Sequence, residues 1–110
     1  MTDFVIFDVE TTGLKPEDGH AIVELAAQRV RGREVIESFD TIVNPGRSVE
    51  AGAAAVHGIS NEIIKKEGKS LIEVIPSFVL FCEGATLVVN NIKFDLVFIN
   101  KHLRDLGLPL

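Results

Sequence analysis

Residues 4–7, Phe-Val-Ile-Phe, form an unbroken apolar run, and Asp8-Val9-Glu10 follow it directly. A run of that kind with polar residues only at its C-terminal end reads as a strand buried on both faces, which confines the chain to folds built around an interior strand. Thr11-Thr12-Gly13-Leu14 ends the strand in a turn. Strand side chains alternate, so Asp8 and Glu10 share a face with their Cα atoms about 6–7 Å apart. Two neighbouring carboxylates at the end of a buried strand repel each other, and the arrangement is costly unless a cation or a proton neutralises it. Hard oxygen ligands of this type suit Mg²⁺ or Mn²⁺. Spacing alone leaves a second reading open, in which both carboxylates splay into solvent at a strand end.

The segment 21–30 (AIVELAAQRV) suits strand or helix by local propensity. Arg31-Gly32-Arg33 separates it from the alternating segment 34–43, and a turn of that length between two apolar runs favours a hairpin. Asn44-Pro45-Gly46 stops the second arm. Segment 50–56 is Ala-rich and reads as a short helix. Ser60 is placed to cap another short helix reaching residue 66. Ser70-Leu71-Ile72-Glu73 fits a capping box opening a helix that Gly84 closes. Segment 86–89, Thr-Leu-Val-Val, reads as a short strand. Leu96, Ile99, Leu103 and Leu106 recur at helical spacing over 94–106, with Gly107 and Pro109 ending that helix. The order predicts an α/β fold: a mixed sheet with an antiparallel three-strand meander, one parallel strand added through a helical crossover, and flanking helices.

A length of 110 residues suits one domain. No apolar run approaches the roughly 20 residues of a membrane helix. The N-terminus lacks the early positive charge and long apolar stretch of a signal peptide, so a cytoplasmic protein with no membrane association is expected. Cys82 is the only cysteine, which rules out an internal disulfide and a cysteine zinc site. The net charge of −5 argues against a broad, sequence-independent nucleic-acid clamp, though not against a nuclease whose metal site needs clustered carboxylates.

Asp95, in Asn90-Asn91-Ile92-Lys93-Phe94-Asp95, follows the strand at 86–89. If that strand runs parallel to the first, both end on one sheet edge, where ligands of such sheets bind. Asp95 then meets Asp8 and Glu10 from the start of its helix; the plainer reading is an Asp favoured by the helix dipole in a first turn.

Phe7-Asp8-Val9-Glu10-Thr11-Thr12-Gly13-Leu14 resembles the first motif of the DEDD exonuclease superfamily, most nearly its DnaQ-like group, which includes the proofreading epsilon subunit of bacterial DNA polymerase III. Ile22-Val23-Glu24-Leu25-Ala26-Ala27, Val43-Asn44-Pro45, Val56-His57-Gly58-Ile59-Ser60 and Asn91-Ile92-Lys93-Phe94-Asp95 follow in that family's order. The resemblance implies an RNase H-like fold and a 3′→5′ exonuclease acting on single-stranded DNA or RNA ends with two divalent ions, Mg²⁺ or Mn²⁺. DNA proofreading or repair is the expected setting, and a DNA polymerase subunit an expected partner. By the same resemblance Asp8 bridges both metals, Glu10 helps hold one and Asp95 the other. One metal then activates a water while its neighbour stabilises the leaving 3′ oxygen. Thr11, Thr12, Gly13 and Leu14 surround the terminal nucleotide, with Gly13 admitting the backbone and Leu14 packing on the base. His57 and Asn91 lie near the same nucleotide. Glu24 is structural or faces the site from the neighbouring strand.

The family's third motif, H-x(4)-D, which supplies the general-base histidine and a fourth carboxylate, has no counterpart here; His102 and Asp105 are spaced H-x-x-D. The resemblance therefore predicts a single exonuclease domain over 1–110, truncated before the last strand and weak or inactive as it stands. A catalytically inactive nucleotide- or partner-binding module and an RNA-trimming enzyme are the alternatives. His102 and His20 read as surface residues. Where many relatives carry histidine, this chain has Asn90. Without a further strand, Leu87, Val88 and Val89 form an open edge, so self-association through it is expected.

Overall fold

The computed structural model describes residues 2–89 and 92–107. Strand β1 (Asp3–Thr11) pairs antiparallel with β2 (Ile22–Arg31), which pairs antiparallel with β3 (Glu34–Asn44). Gly32 makes the β2–β3 turn at φ +64°, in the left-handed region that glycine enters without steric cost. The two-residue β4 (Lys69–Ser70) lies parallel to the end of β3, and β5 (Ala85–Val89) lies parallel to β1. The sheet order is β4-β3-β2-β1-β5. The expected meander and parallel strand are present. β4 is an addition; two residues carry no periodicity from which to infer a strand.

Among the described residues four α-helices accompany the sheet: α1 (Ala51–His57), α2 (Asn61–Glu67), α3 (Leu71–Phe81) and α4 (Val97–Asp105), with a 3₁₀ turn at Pro16–Asp18. Ser60 caps α2, its Oγ accepting the Ile63 N–H at 3.2 Å. Ser70 stands at the N-cap of α3 but makes no side-chain cap bond. Its pairing with Asn44 in β4 holds the start of that helix instead of the expected capping box.

The main core lies on one face of the sheet. Val5, Phe7 and Val9 of β1 are buried with Leu25, Ala27 and Val43 under α3 (Val74, Ile75, Phe78) and α4 (Phe98, Ile99, Leu103). Phe7 and Phe78 meet edge to face with ring centroids 5.3 Å apart, a geometry that contributes about 1 kcal/mol beyond area burial. A smaller cluster of Val23, Val49, Ile59 and Ile64 lies beneath α1 and α2. Two-sided burial of β1 is corrected: Phe4 is 41% and Ile6 46% exposed, and Asp8 is exposed, so β1 alternates. The residues of α3 and α4 in the main core all pack on the odd-numbered side of β1, and an apolar run does not specify how many layers cover it.

Buried Asp3 joins the two ends of this framework. It accepts Arg29 Nε and Arg31 Nε, each at 2.7 Å, while Arg29 also donates to the Phe81 carbonyl at the end of α3. These guanidinium bonds hold the Asp3 carboxyl well below the usual carboxylate range.

Candidate active site

The carboxylates gather at the C-terminal end of β1. The β1–β2 register slips there: Glu10 faces Glu24, but Thr11 faces Ile22. Val23, the extra residue, packs into the cluster under α1 and α2. Asp8 is exposed and Glu10 half-buried, both on the open face of the sheet.

Asp95 arrives from the opposite side of β1. The last β1–β5 pair is Phe7 with Val89; beyond it the Val9 N–H donates to Asp95 Oδ1 in a long bond of 3.4 Å. A π-helical turn, Ile92–Leu96, carries the chain into α4 and bears Asp95, which is 1% exposed. The expected α-helical start at residue 94 is thus a wider turn, a local irregularity frequent at functional sites. Burial pushes the Glu10 carboxyl above its ordinary range, and the charges of Asp8 and Asp95 push it further, against the opposing effect of His57. Glu10 therefore feels the charge of both other acids.

Glu24, opposite Glu10, shares a hydrogen bond with Asp40. Burial first, then that bond and the charges of Asp40, Glu10 and Asp8, push its carboxyl up to about 7. An acidic row thus crosses the open face. Three hard-oxygen carboxylates, Asp8, Glu10 and Asp95, are the right donor chemistry for a divalent cation. Among the described residues no three such side chains form a ready-made metal cage.

Beside Glu10 opens a pocket of about 370 Å³, walled by Thr11, Gly13 and Leu14 on one side and by Ala53, Val56 and His57 of α1 on the other, with Phe94 lining it as well. Leu14 is 80% exposed, an apolar side chain free to meet a ligand. Thr11 Oγ1 donates to the Gly13 carbonyl at 2.6 Å, tightening the turn. Thr12 does not reach the pocket: it is fully buried, with its hydroxyl on His20. Asn91 and Asn90 lie outside the described residues.

All three histidines are engaged. His57 Nδ1 accepts the Ile59 N–H at 3.0 Å, which leaves Nε2 protonated to donate to the Thr11 carbonyl at 2.9 Å. Its ring lines the pocket with neither nitrogen spare. His20 and His102 are corrected from surface to core, at 5% and 3% exposure. His20 sits between Thr12 Oγ1 (2.9 Å) and Glu50 Oε1 (3.1 Å). His102 Nε2 accepts the Ile22 N–H at 3.2 Å, and burial pulls its ring down to about 4, Lys101 adding to the effect and Asp105 opposing it. A signal for His102 existed: it continues the stripe of Phe98 and Ile99 at helical spacing, on the face that α4 buries. His20 precedes the apolar start of β2 and carried no comparable pattern.

Residues 5–108 match the family model described as an exonuclease, RNase T. A DNA polymerase III subunit epsilon-like protein of Rhodobacter capsulatus is 49% identical over 106 residues, covering 94% of this chain and 15% of that protein. A DNA polymerase III of PolC type from Caldanaerobacter subterraneus subsp. tengcongensis is 35% identical over 108 residues, covering 98% of this chain and 8% of its own length. The chain therefore spans a small part of these curated relatives. Among solved structures, a product-bound exonuclease I superposes with a TM-score of 0.87 at 19% identity, over 98% of this chain and 26% of that one. Exonuclease I of E. coli in complex with a dT13 oligonucleotide gives 0.86, also at 19% identity, over 98% of this chain and 25% of that one. These likenesses show a shared fold, the RNase H-like mixed sheet expected from the motifs.

Proposed function

We propose that this chain, which belongs to the exonuclease family, seats the 3′ end of a single-stranded DNA in the pocket beside Glu10 and presents its terminal phosphodiester to Asp8, Glu10 and Asp95 for hydrolysis to mononucleotides. One observation carries the reading. Asp8 and Glu10 project from the same end of β1 at which Asp95 is held, next to a pocket walled by the Thr11–Leu14 turn and α1. The acids are the residues that would hold divalent ions, Mg²⁺ or Mn²⁺, as their hard oxygen donors and mutual repulsion favour. Bound there, such ions would supply Lewis-acid stabilisation of charge at the scissile phosphate. The protein's own residues bind and orient. Leu14 and Val56 offer apolar contact to a base, the turn backbone approaches the sugar, and His57 fixes the height of Thr11 through its carbonyl. The epsilon-like and PolC-type relatives make a polymerase subunit a reasonable partner for a protein containing this domain.

A second reading rests on the histidines. His20 and His57 use both ring nitrogens and His102 accepts Ile22 N–H, so among the described residues no imidazole stands ready as a general base. This favours slow turnover, or a nucleotide-binding module without turnover. General-base assistance is worth roughly 10²–10⁴-fold. The deciding assay is mononucleotide release from a 3′-labelled single strand with Mn²⁺, using DNA and RNA in parallel. Slow release abolished by Asp8→Ala supports the enzyme. Nucleotide binding without release supports the module, and neither binding nor release sinks both readings.

A further inference from the structure

We propose that His20 is a positioning residue for the nucleotide pocket: its ring pins the Thr11–Leu14 turn to the start of α1, and so sets the two walls between which the 3′-terminal nucleotide sits. The proposal rests on the exonuclease reading above and extends it to a residue remote from the carboxylates.

The Glu50 carboxylate can only accept, so His20 Nε2 carries a proton and donates to Glu50 Oε1 at 3.1 Å. The other ring nitrogen, Nδ1, is hydrogen-bonded to Thr12 Oγ1 at 2.9 Å, and Thr12 Oγ1 also accepts the Ala21 N–H at 3.1 Å. The series Thr–His–Glu has the order of a nucleophile relay, but Thr12 has no accessible surface. It works as a tether. Thr12 is held from its backbone as well, donating to the Ala21 carbonyl and accepting the Glu50 N–H, both at 2.9 Å.

The ring also explains Gly13. This glycine is not among those with positive φ, so the backbone does not demand it. A Cβ there would lie 2.6 Å from His20 Cδ2 and nearer still to Cε1 and Nε2. The ring, buried and bonded at both nitrogens, has nowhere to retreat. Gly13 and Glu50, on either side of the imidazole, both line the pocket. The same short stretch receives α4: Lys101 Nζ donates to the His20 carbonyl at 3.0 Å, and His102 takes the Ile22 N–H. The pocket walls and the helix that follows Asp95 are thus referred to one fixed point.

The test compares the unmutated chain with His20→Ala, Gly13→Ala and the double variant. Thymidine monophosphate affinity is read by titration, and KM and kcat on a 3′-labelled single strand with Mn²⁺. His20→Ala should weaken thymidine monophosphate binding and raise KM by about tenfold while kcat changes much less. Gly13→Ala should do the same, and adding His20→Ala to it should recover part of the loss, because the methyl then occupies space the ring has left. Ring ¹⁵N shifts on the unmutated chain should report a protonated Nε2, a readout that needs no variant to fold. Additive losses, unchanged affinity in a folded His20→Ala chain, or a ring whose Nε2 carries no proton would overturn the proposal. Asp8→Ala separates the two ideas. Cleavage that depends on Asp8 but ignores His20 defeats only the positioning role, whereas an unmutated chain that binds no nucleotide defeats the exonuclease reading and this inference with it.

Discussion

His102 Nε2 accepts the backbone N–H of Ile22, so the last helix supplies the partner for the first amide of β2, eighty residues away. The bond requires an unprotonated nitrogen, and burial holds the ring neutral by pulling its folded pKa from 6.5 to about 4. The unfolded chain takes up this proton first as the pH falls. The stability it represents is therefore complete above pH 6.5 and lost progressively towards pH 4, on the order of 2 kcal/mol. Melting curves should show this acid loss, and His102→Gln, less stable at pH 7, should show less of it.

Glu24 acts in the opposite sense. Its folded pKa stands at about 7 against an ordinary 4.5, so the fold favours the protonated acid. That contribution is present below pH 4.5 and lost as pH rises through 7. Glu24→Gln should be the more stable chain at pH 8, by at most about 1 kcal/mol because solvent screens a half-exposed group. The advantage should vanish near pH 4. A thermal-melt series across this range with both chains, free of divalent ions, reads the difference.

Substitution can separate the bond that Asp95 makes to Val9 from the metal-holding role proposed for it. Asp95→Asn keeps an acceptor for the Val9 N–H but removes the charge, so the fold should hold while Mn²⁺ binding and 3′-end hydrolysis fall at least as far as in Asp8→Ala. Asp95→Ala should in addition lose about 1–2 kcal/mol, the cost of leaving a buried N–H unsatisfied. Equal stability of the two variants would show that the 3.4 Å bond contributes nothing.

The outer edge of β5 has no strand beside it among the described residues, and Leu87 and Val88 on it are 43% and 41% exposed. Edges without charge, proline or bulge invite pairing. Sedimentation velocity should show concentration-dependent association of the 110-residue chain, and Leu87→Lys should disperse it. A chain that stays monomeric at high concentration would refute self-association through this edge.

Local sequence determined most of the elements. The Arg31-Gly32-Arg33 turn announced the hairpin because only glycine takes the φ of +64° cheaply, and Ser60 announced α2 because its hydroxyl can satisfy a first-turn N–H. The pairing of Asp8 with Glu10 on one face follows from the two-residue period of a strand alone. Tertiary structure decided the rest, since those features depend on residues far apart in the chain. An apolar run is the same string whether one layer covers it or two, and only the placement of α3 and α4 left Phe4 and Ile6 exposed. The π turn that carries Asp95 to Val9 depends on where β5 stops relative to β1. The histidines show the limit most clearly. His20 and His102 are polar, and a one-dimensional pattern assigns polar residues to solvent. They are buried because Thr12 and Glu50 meet both nitrogens of His20, and Ile22 meets Nε2 of His102, partners brought there by the fold.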